Sequence, residues 1–359
     1  MKTVIQITIL ATAFFLAGKS CGNEIERSVW GCLPDGREVE IFTLRNDSGT
    51  VVRVAEYGAL LVSIDTKDKE GKIGRITLSY KSLDEALGGG VFGSVIGRFA
   101  NRIDGGGFEI DGVRYDLESV NQKSGVHIHG GKTGFHRQLW FGRPQKTLDG
   151  PSVIFTLISE DGHEGYPGTV LVEASYRLEG NTLVLTYTAH TDKPTHLNLT
   201  NHVYFNLSGG GTIENHLLTL STPQVLEIDD RNIPTGEVLS VEGTPFDFLE
   251  ERRIGDSLPQ LETGGLDHCF AQSGGRILPI AKLVDPESGR TLDIVTSKPG
   301  VQVFTANGFR GNPFPKWGGI CFETQFFPNA PNEPTFESSL VRPGEGYRHA
   351  TRFRFGVID

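Results

Sequence analysis

The chain has 359 residues, 37% of them hydrophobic and 22% charged, with 44 acidic against 34 basic side chains and a formal net charge of −10. Such a composition belongs to an ordinary globular protein able to bury a large core, as one big all-β unit or as two domains. Its acidic balance argues against a nucleic-acid binder, which needs a basic face to neutralise phosphates.

Residues 1–22 differ in kind. Lys2 supplies a positive start, residues 4–16 are almost wholly apolar, and Ala17-Gly18-Lys19-Ser20-Cys21-Gly22 is mostly small. This pattern predicts a secretory signal peptide cut before Asn23, and hence a periplasmic or extracellular protein. The apolar run is too short for a membrane span. Cys21 leaves a lipid anchor as the alternative, although Gly18 and Lys19 fit a lipobox poorly. Cys32, Cys269 and Cys321 are far apart and lack a C-x-x-C pair, which gives neither a disulfide framework nor a zinc site. They are read as small buried residues.

Beyond the leader, 46 glycines and 18 prolines punctuate short alternating segments, the signature of an all-β chain. Strands are expected over residues 38–44, 51–63, 153–158, 217–220, 291–296, 301–305 and 347–355. One hairpin joins Phe108-Glu109-Ile110 to Val113-Arg114-Tyr115 through Asp111-Gly112, a dipeptide that tolerates positive φ. A longer one joins residues 170–178 to 183–189 through Glu179-Gly180-Asn181. Helical signals are few: Ser82-Leu83-Asp84-Glu85 is a capping box that opens a short helix ending before Gly88, and residues 248–254 are a second candidate. No solenoid repeat, low-complexity tract or Pro/Ser linker divides residues 23–359. The expectation is a single large, mostly antiparallel β-sandwich with a few short helices, since a propeller would need a repeating blade motif.

Chemistry concentrates in Asn198-Leu199-Thr200-Asn201-His202-Val203-Tyr204-Phe205-Asn206-Leu207, expected as a strand. Alternation puts Thr200, His202 and Tyr204 on one polar face and Asn201, Val203 and Phe205 on the other. His202 is the first candidate for acid or base catalysis, against the plainer reading of an imidazole hydrogen-bonded within a sheet. Earlier, Gly97-Arg98-Phe99-Ala100-Asn101-Arg102-Ile103 offers guanidinium forks for a carboxylate, a phosphate or sugar hydroxyls, unless its arginines simply face solvent. His127-Ile128-His129-Gly130-Gly131 carries an H-x-H pair that, on a strand, would point both imidazoles one way and could ligate a metal. No nearby glutamate or third histidine completes that set, so no metal is expected. Asp267 stands beside His268 in a glycine-rich context. Glu323, among apolar and aromatic neighbours, should be partly desolvated, which raises its pKa toward that of a general base, unless it is paired with Arg102.

Taken together and in this order, these segments resemble the aldose 1-epimerase (galactose mutarotase) family. The matching pieces are Gly97-Arg98-Phe99-Ala100-Asn101-Arg102-Ile103, His129-Gly130-Gly131, Gly165-Tyr166-Pro167-Gly168, residues 198–207, Leu266-Asp267-His268 and Glu323-Thr324-Gln325. The likeness runs from about Trp30, through Leu33-Pro34-Asp35-Gly36, to Arg342-Pro343-Gly344-Glu345. The resemblance implies a large antiparallel β-sandwich and an isomerase that interconverts the anomers of a small aldohexose such as glucose or galactose. It implies Glu323 as the base at the anomeric hydroxyl and His202 as the acid at the ring oxygen, with the roles exchanged on closure. His129 would assist near the ring oxygen, Asn101, Arg102, Asp267 and Gln302 would hold hydroxyls, Tyr204 would line the pocket, and no cofactor is required. The chain departs from the pattern in having Leu266 where an aromatic residue often precedes the aspartate, and in Phe326-Phe327-Pro328 after the glutamate motif; both bear on sugar preference rather than on activity. The same residues leave three alternatives: a hexose-phosphate epimerase with Arg98 as its extra cation, a glycosidase pairing Glu323 with Asp267, and a non-catalytic sugar-binding module.

Overall fold

Strand side chains alternate in direction, so a strand with one face on the core and one toward a site shows two chemistries in turn. Ile320–Gln325 does this: Ile320 and Phe322 enter the main apolar core, while Cys321 packs in a separate cluster with Tyr204 on the opposite face, the face Glu323 shares. The protein's structure, a computed structural model, describes residues 24–272 and 276–358. The expected signal peptide and Cys21 lie outside the described residues.

Ile320–Gln325 belongs to a six-stranded sheet in the order Tyr204–Phe205, Ile320–Gln325, Gly300–Phe304, Asp267–Ala271, Gln224–Ile228, Pro234–Ser240. A nine-stranded sheet covers its core face, running Phe141–Thr147, Gly150–Ser159, Val170–Glu179, Thr182–Thr191, Tyr347–Val357, Arg290–Thr296, Leu278–Val284, Leu217–Leu220, Arg252–Arg253. A five-stranded sheet over residues 24–75 packs alongside. Every strand pair within these three sheets is antiparallel, as expected of the sandwich. One continuous core joins the layers: Phe205 meets Phe353 at 5.5 Å between ring centroids, and Phe42 meets Phe155 edge-on at 5.8 Å. Such aromatic contacts each add about 0.5–1.5 kcal/mol beyond area burial. Among the described residues no helix is long and apolar enough to cross a membrane.

The local expectations meet mixed outcomes. The hairpin Gly107–Ile110 with Val113–Asp116 turns at Asp111 (φ 53°) and Gly112 (φ 79°), as a two-residue turn of this kind requires. The helix Leu83–Gly88 forms, with the Glu85 amide donating to the Ser82 hydroxyl, but the Glu85 carboxylate accepts from the Lys81 amide instead of closing the box on Ser82. Residues 248–254 form no α-helix, with only a short 3-10 turn, Ile254–Asp256, opening at their end: the Phe248 carbonyl accepts from the Leu220 amide and Arg252–Arg253 pairs with Leu217–Leu218, so the sheet edge claims this backbone. Residues 51–63 are not one strand but the pair Val51–Ala55 and Leu60–Lys67, reversed where Gly58 and Ala59 take positive φ. Cys269 and Cys321 are buried, whereas Cys32 is exposed.

Two satellite clusters cover the outer face of the six-stranded sheet. Phe99, Ile103, Phe108, Tyr166 and Cys269 form one; Leu78, Tyr204, Ala306 and Cys321, with Phe92, Phe304, Phe309 and Phe314, form the other. The polar residues of interest lie between them.

Candidate active site

Residues 198–207 do not run as a single strand. Thr200–Asn201 pairs with Val95–Ile96, the chain breaks at His202-Val203, and Tyr204–Phe205 pairs with Ile320–Cys321. The break delivers His202 to Glu323: His202 Nε2 stands 3.5 Å from Glu323 Oε1, both side chains almost wholly buried. The expected split of faces holds at its functional end. The His202 and Tyr204 rings lie 5.1 Å apart, while Asn201 points the other way and donates to the Gly93 carbonyl and the Tyr176 hydroxyl. Asn201 therefore shapes the segment and is not placed to touch a ligand beside His202.

Burial sets the protonation of this pair. It pushes the Glu323 carboxyl up to about 8, helped by the negative Asp267 and opposed by Arg102. It pushes the His202 imidazole down to about 4. The plain ion pair of Glu323 with Arg102 is not found: Arg102 instead meets Asp267 Oδ2 at 3.3 Å and donates to Asn101 Oδ1 at 3.2 Å.

The remaining predicted residues converge here. Arg102–Ile103 pairs with His127–Ile128, which sets Asn101 against His129; the His129 amide donates to the Asn101 carbonyl and the Asn101 amide donates to His129 Nδ1 at 3.1 Å. The loop depends on glycine: at Gly130 (φ 76°) an added Cβ would stand 1.8 Å from the Gly97 carbonyl oxygen. The His129 ring lies 5.3 Å from that of His202. Gln302 sits directly opposite Glu323 in register and donates to Asp267 Oδ1 at 2.7 Å. Asp267 thus receives Arg102 and Gln302, and also Asn232 at 3.4 Å, a residue outside every motif read from the sequence. Several buried polar atoms on this face have no protein partner: Glu323 Oε2, Gln302 Oε1 and both amide atoms of Gln325. Buried polar groups are nearly always satisfied, so this arrangement suits a ligand carrying several hydroxyls.

Other polar motif residues serve the scaffold. Arg98 is buried, with its guanidinium donating to the Ser159 hydroxyl and the carbonyls of Ser159, Glu160 and Pro167; burial lowers it to about 10. It ties the Gly97 loop to the Gly165-Tyr166-Pro167-Gly168 turn and is not free for a phosphate. Asn198 donates to the Phe326 carbonyl and accepts the Phe326 amide, while its backbone bonds to Arg98 and Ala100.

The H-x-H pair divides, because His129 takes φ 52° and leaves the strand; His127 turns inward, its Nδ1 2.7 Å from the Glu118 carbonyl. The third ligand missing from the local sequence arrives from afar, since ligand atoms of His129, His202 and Glu323 lie within 4.8 Å of one another. The set still suits a metal poorly. A backbone N–H can only donate, so His129 Nδ1 is the acceptor and the ring's proton sits on Nε2, the atom a metal would need bare. Sequence reasoning also passed over Cys321, whose Sγ lies 3.3 Å from His202 Nδ1. Its place two residues before Glu323 on a strand was the available signal.

Comparison with known proteins agrees with this geometry. The family profile described as aldose 1-epimerase matches residues 40–354. Galactose mutarotase from Homo sapiens is 39% identical over 345 residues, covering 93% of this chain and 99% of the relative. The chain belongs to the aldose 1-epimerase family. The aldose 1-epimerase of Escherichia coli (strain K12) is 33% identical over 343 residues, covering 90% of this chain and 96% of the relative. Among solved structures, galactose 1-epimerase from Lactobacillus acidophilus superposes with a TM-score of 0.84 at 27% identity, covering 94% of this chain and all of that one. A GalM/aldose epimerase homologue from C. elegans gives 0.80 at 27% identity, covering 87% and 97%. Like its family, the chain is an isomerase that interconverts the anomers of an aldose.

Proposed function

We propose that Glu323 and His202 act as one acid/base pair holding a single proton, on a hexose such as galactose or glucose. Between about 4 and about 8 the pair carries one proton, which burial favours on Glu323 while the pocket is empty. Transfer across the 3.5 Å gap to Nε2 creates the reactive carboxylate and imidazolium. Glu323 then takes the proton of the anomeric hydroxyl, Nε2 protonates the ring oxygen, and the C1–O5 bond breaks to leave an aldehyde. After rotation about C1–C2 the 5-hydroxyl attacks the other face, its proton returns to His202, and Glu323 returns its own to O1. The pair ends as it began, so the proton balance closes on side chains alone.

His129, held as an Nε2–H donor by the Asn101 amide, suits the ring oxygen. Asp267, Arg102, Asn101 and Gln302 suit hydroxyls farther from C1, and Tyr204 walls the pocket beside His202. The observation that carries this reading is the juxtaposition of a buried imidazole and a buried glutamate whose second carboxylate oxygen, Oε2, has no protein partner. A glycosidase would need Asp267 as a second reacting carboxylate, but its oxygens are taken by Arg102, Gln302 and Asn232.

Polarimetry tests the assignment: the protein should speed the rotation change of fresh α-D-glucose or α-D-galactose, and Glu323→Gln and His202→Asn should each lose a hundredfold or more. Full activity in both variants would sink it, and cleavage of a nitrophenyl glycoside would move the assignment to a glycosidase. We also propose export under the residue 1–22 leader, supported by its basic start, apolar run and small residues. N-terminal sequencing of secreted protein should find Asn23 first; a lipid on Cys21 would replace cleavage there by an anchor.

A further inference from the structure

The two pocket imidazoles hold different partners at Nδ1. His129 faces a backbone amide, which fixes its neutral form with the proton on Nε2. His202 Nδ1 faces Cys321 Sγ at 3.3 Å, and the same sulfur lies 4.0 Å from the His202 carbonyl, which can only accept. A thiol that donates to the carbonyl presents a lone pair to Nδ1.

We propose that Cys321 is a positioning residue that keeps a proton on His202 Nδ1, so that Nε2 is the atom that gains and loses protons. The inference rests on the proposed roles of His202 and Glu323. Were the thiol to donate to Nδ1 instead, the neutral ring would carry its proton on Nε2, and giving it up would leave an imidazolate. With Nδ1–H donating to sulfur, the ring alternates between imidazolium and neutral imidazole, the only pair of states accessible near neutrality. The protonated Glu323 of the empty pocket gains an acceptor at the same stroke, since its Oε1 lies 3.5 Å from a bare Nε2. The groups facing His202 all fit: the tilted Tyr204 ring lies 5.1 Å from it, His129 meets it edge-on at 5.3 Å, Glu323 Oε1 meets its Nε2, and among these and Cys321 only Cys321 is placed at Nδ1. Sulfur is a weak acceptor, so it fixes the tautomer without trapping the proton.

Nitrogen-15 NMR of the full chain reads the tautomer directly, with the His202 signals assigned by their absence in His202→Asn. The expected wild-type spectrum at pH 7 has a protonated, pyrrole-type Nδ1 and a bare Nε2; the reverse pattern overturns the proposal. This readout needs no activity, so it stays separate from the fate of the mutarotase reading. Kinetics supply the second arm. Cys321→Val, of similar volume but with no acceptor, should lose about tenfold in kcat with KM nearly unchanged. Cys321→Ser, which retains an acceptor, should recover most of that loss. Equal losses in the two variants would mean that packing, not the lone pair, is what Cys321 supplies, and an unimpaired Cys321→Val would refute the role outright.

Discussion

Replacing Glu323 by Gln should remove activity and stabilise the fold at high pH. The folded carboxyl titrates near 8 against an ordinary 4.5, so between these values the folded protein binds a proton that the unfolded chain releases. Stability is fully present below about 4.5, declines as pH rises, and reaches its lowest contribution above about 8. At 1.36 kcal/mol for each pH unit, the 3.5 units between the two values set a ceiling of roughly 5 kcal/mol, reduced in practice by relaxation around the charge. Glutamine has no proton to lose and should avoid this penalty. For a domain of this size, at roughly 0.7 kcal/mol per degree, the variant should melt up to about 7 °C above wild type at pH 9 and within a degree or two of it at pH 5. Differential scanning fluorimetry of both proteins across pH 5–9 measures this. A melting difference independent of pH would refute the claim that burial of an ionisable Glu323 is what the fold tolerates for the sake of chemistry.

Three further outcomes follow from the geometry. The rate of anomer exchange under kcat/KM conditions should be bell-shaped, falling below about 4 as the pair takes a second proton and above about 8 as it loses its only one; a rate still rising at pH 9 would contradict the shared proton. Asp267→Asn should raise KM tenfold or more with a smaller change in kcat, because it unpairs Arg102 and Gln302 rather than the reacting groups; steady-state polarimetry separates the two. Arg98→Met should cost roughly 3–5 kcal/mol in urea unfolding, since the Ser159, Glu160 and Pro167 carbonyls lose their donor inside the protein; a stability equal to wild type would show that the clamp is dispensable.

The residues to which we assign the chemistry were more legible in the sequence than the path of the chain between them. Glu323, His202, Asp267 and Arg102 announce themselves because charged or titratable groups among glycines and aromatics are costly unless used. Their pairing was not legible: Arg102 turned out to serve Asp267 rather than Glu323, a matter of a few ångströms that sequence spacing does not encode. The alternation that placed His202 and Tyr204 together was right for a reason it did not contain, because the strand breaks at His202 to change partners from residues 95–96 to residues 320–321. Partners so distant in sequence leave no local trace. The same limit explains the misread H-x-H pair, where one residue at positive φ cancels the period of two, and residues 248–254, where a helical spacing lost to an unpaired sheet edge. Cys321 was overlooked because a cysteine without a partner cysteine looks like filler, and only the fold shows which imidazole atom it meets.

The strand Ile320–Gln325 divides its residues by parity. Its even members, Ile320 and Phe322, answer to the sandwich core, while Cys321 and Glu323 face the candidate site beside His202. Neighbouring strands keep the same division, with Val301 and Val303 inward and Gln302 and Phe304 outward. Selection for a new aldose can therefore act on one set of positions while the other set preserves the fold. A library confined to the outward residues and the loops above them would vary specificity in a protein whose foundation it never touches.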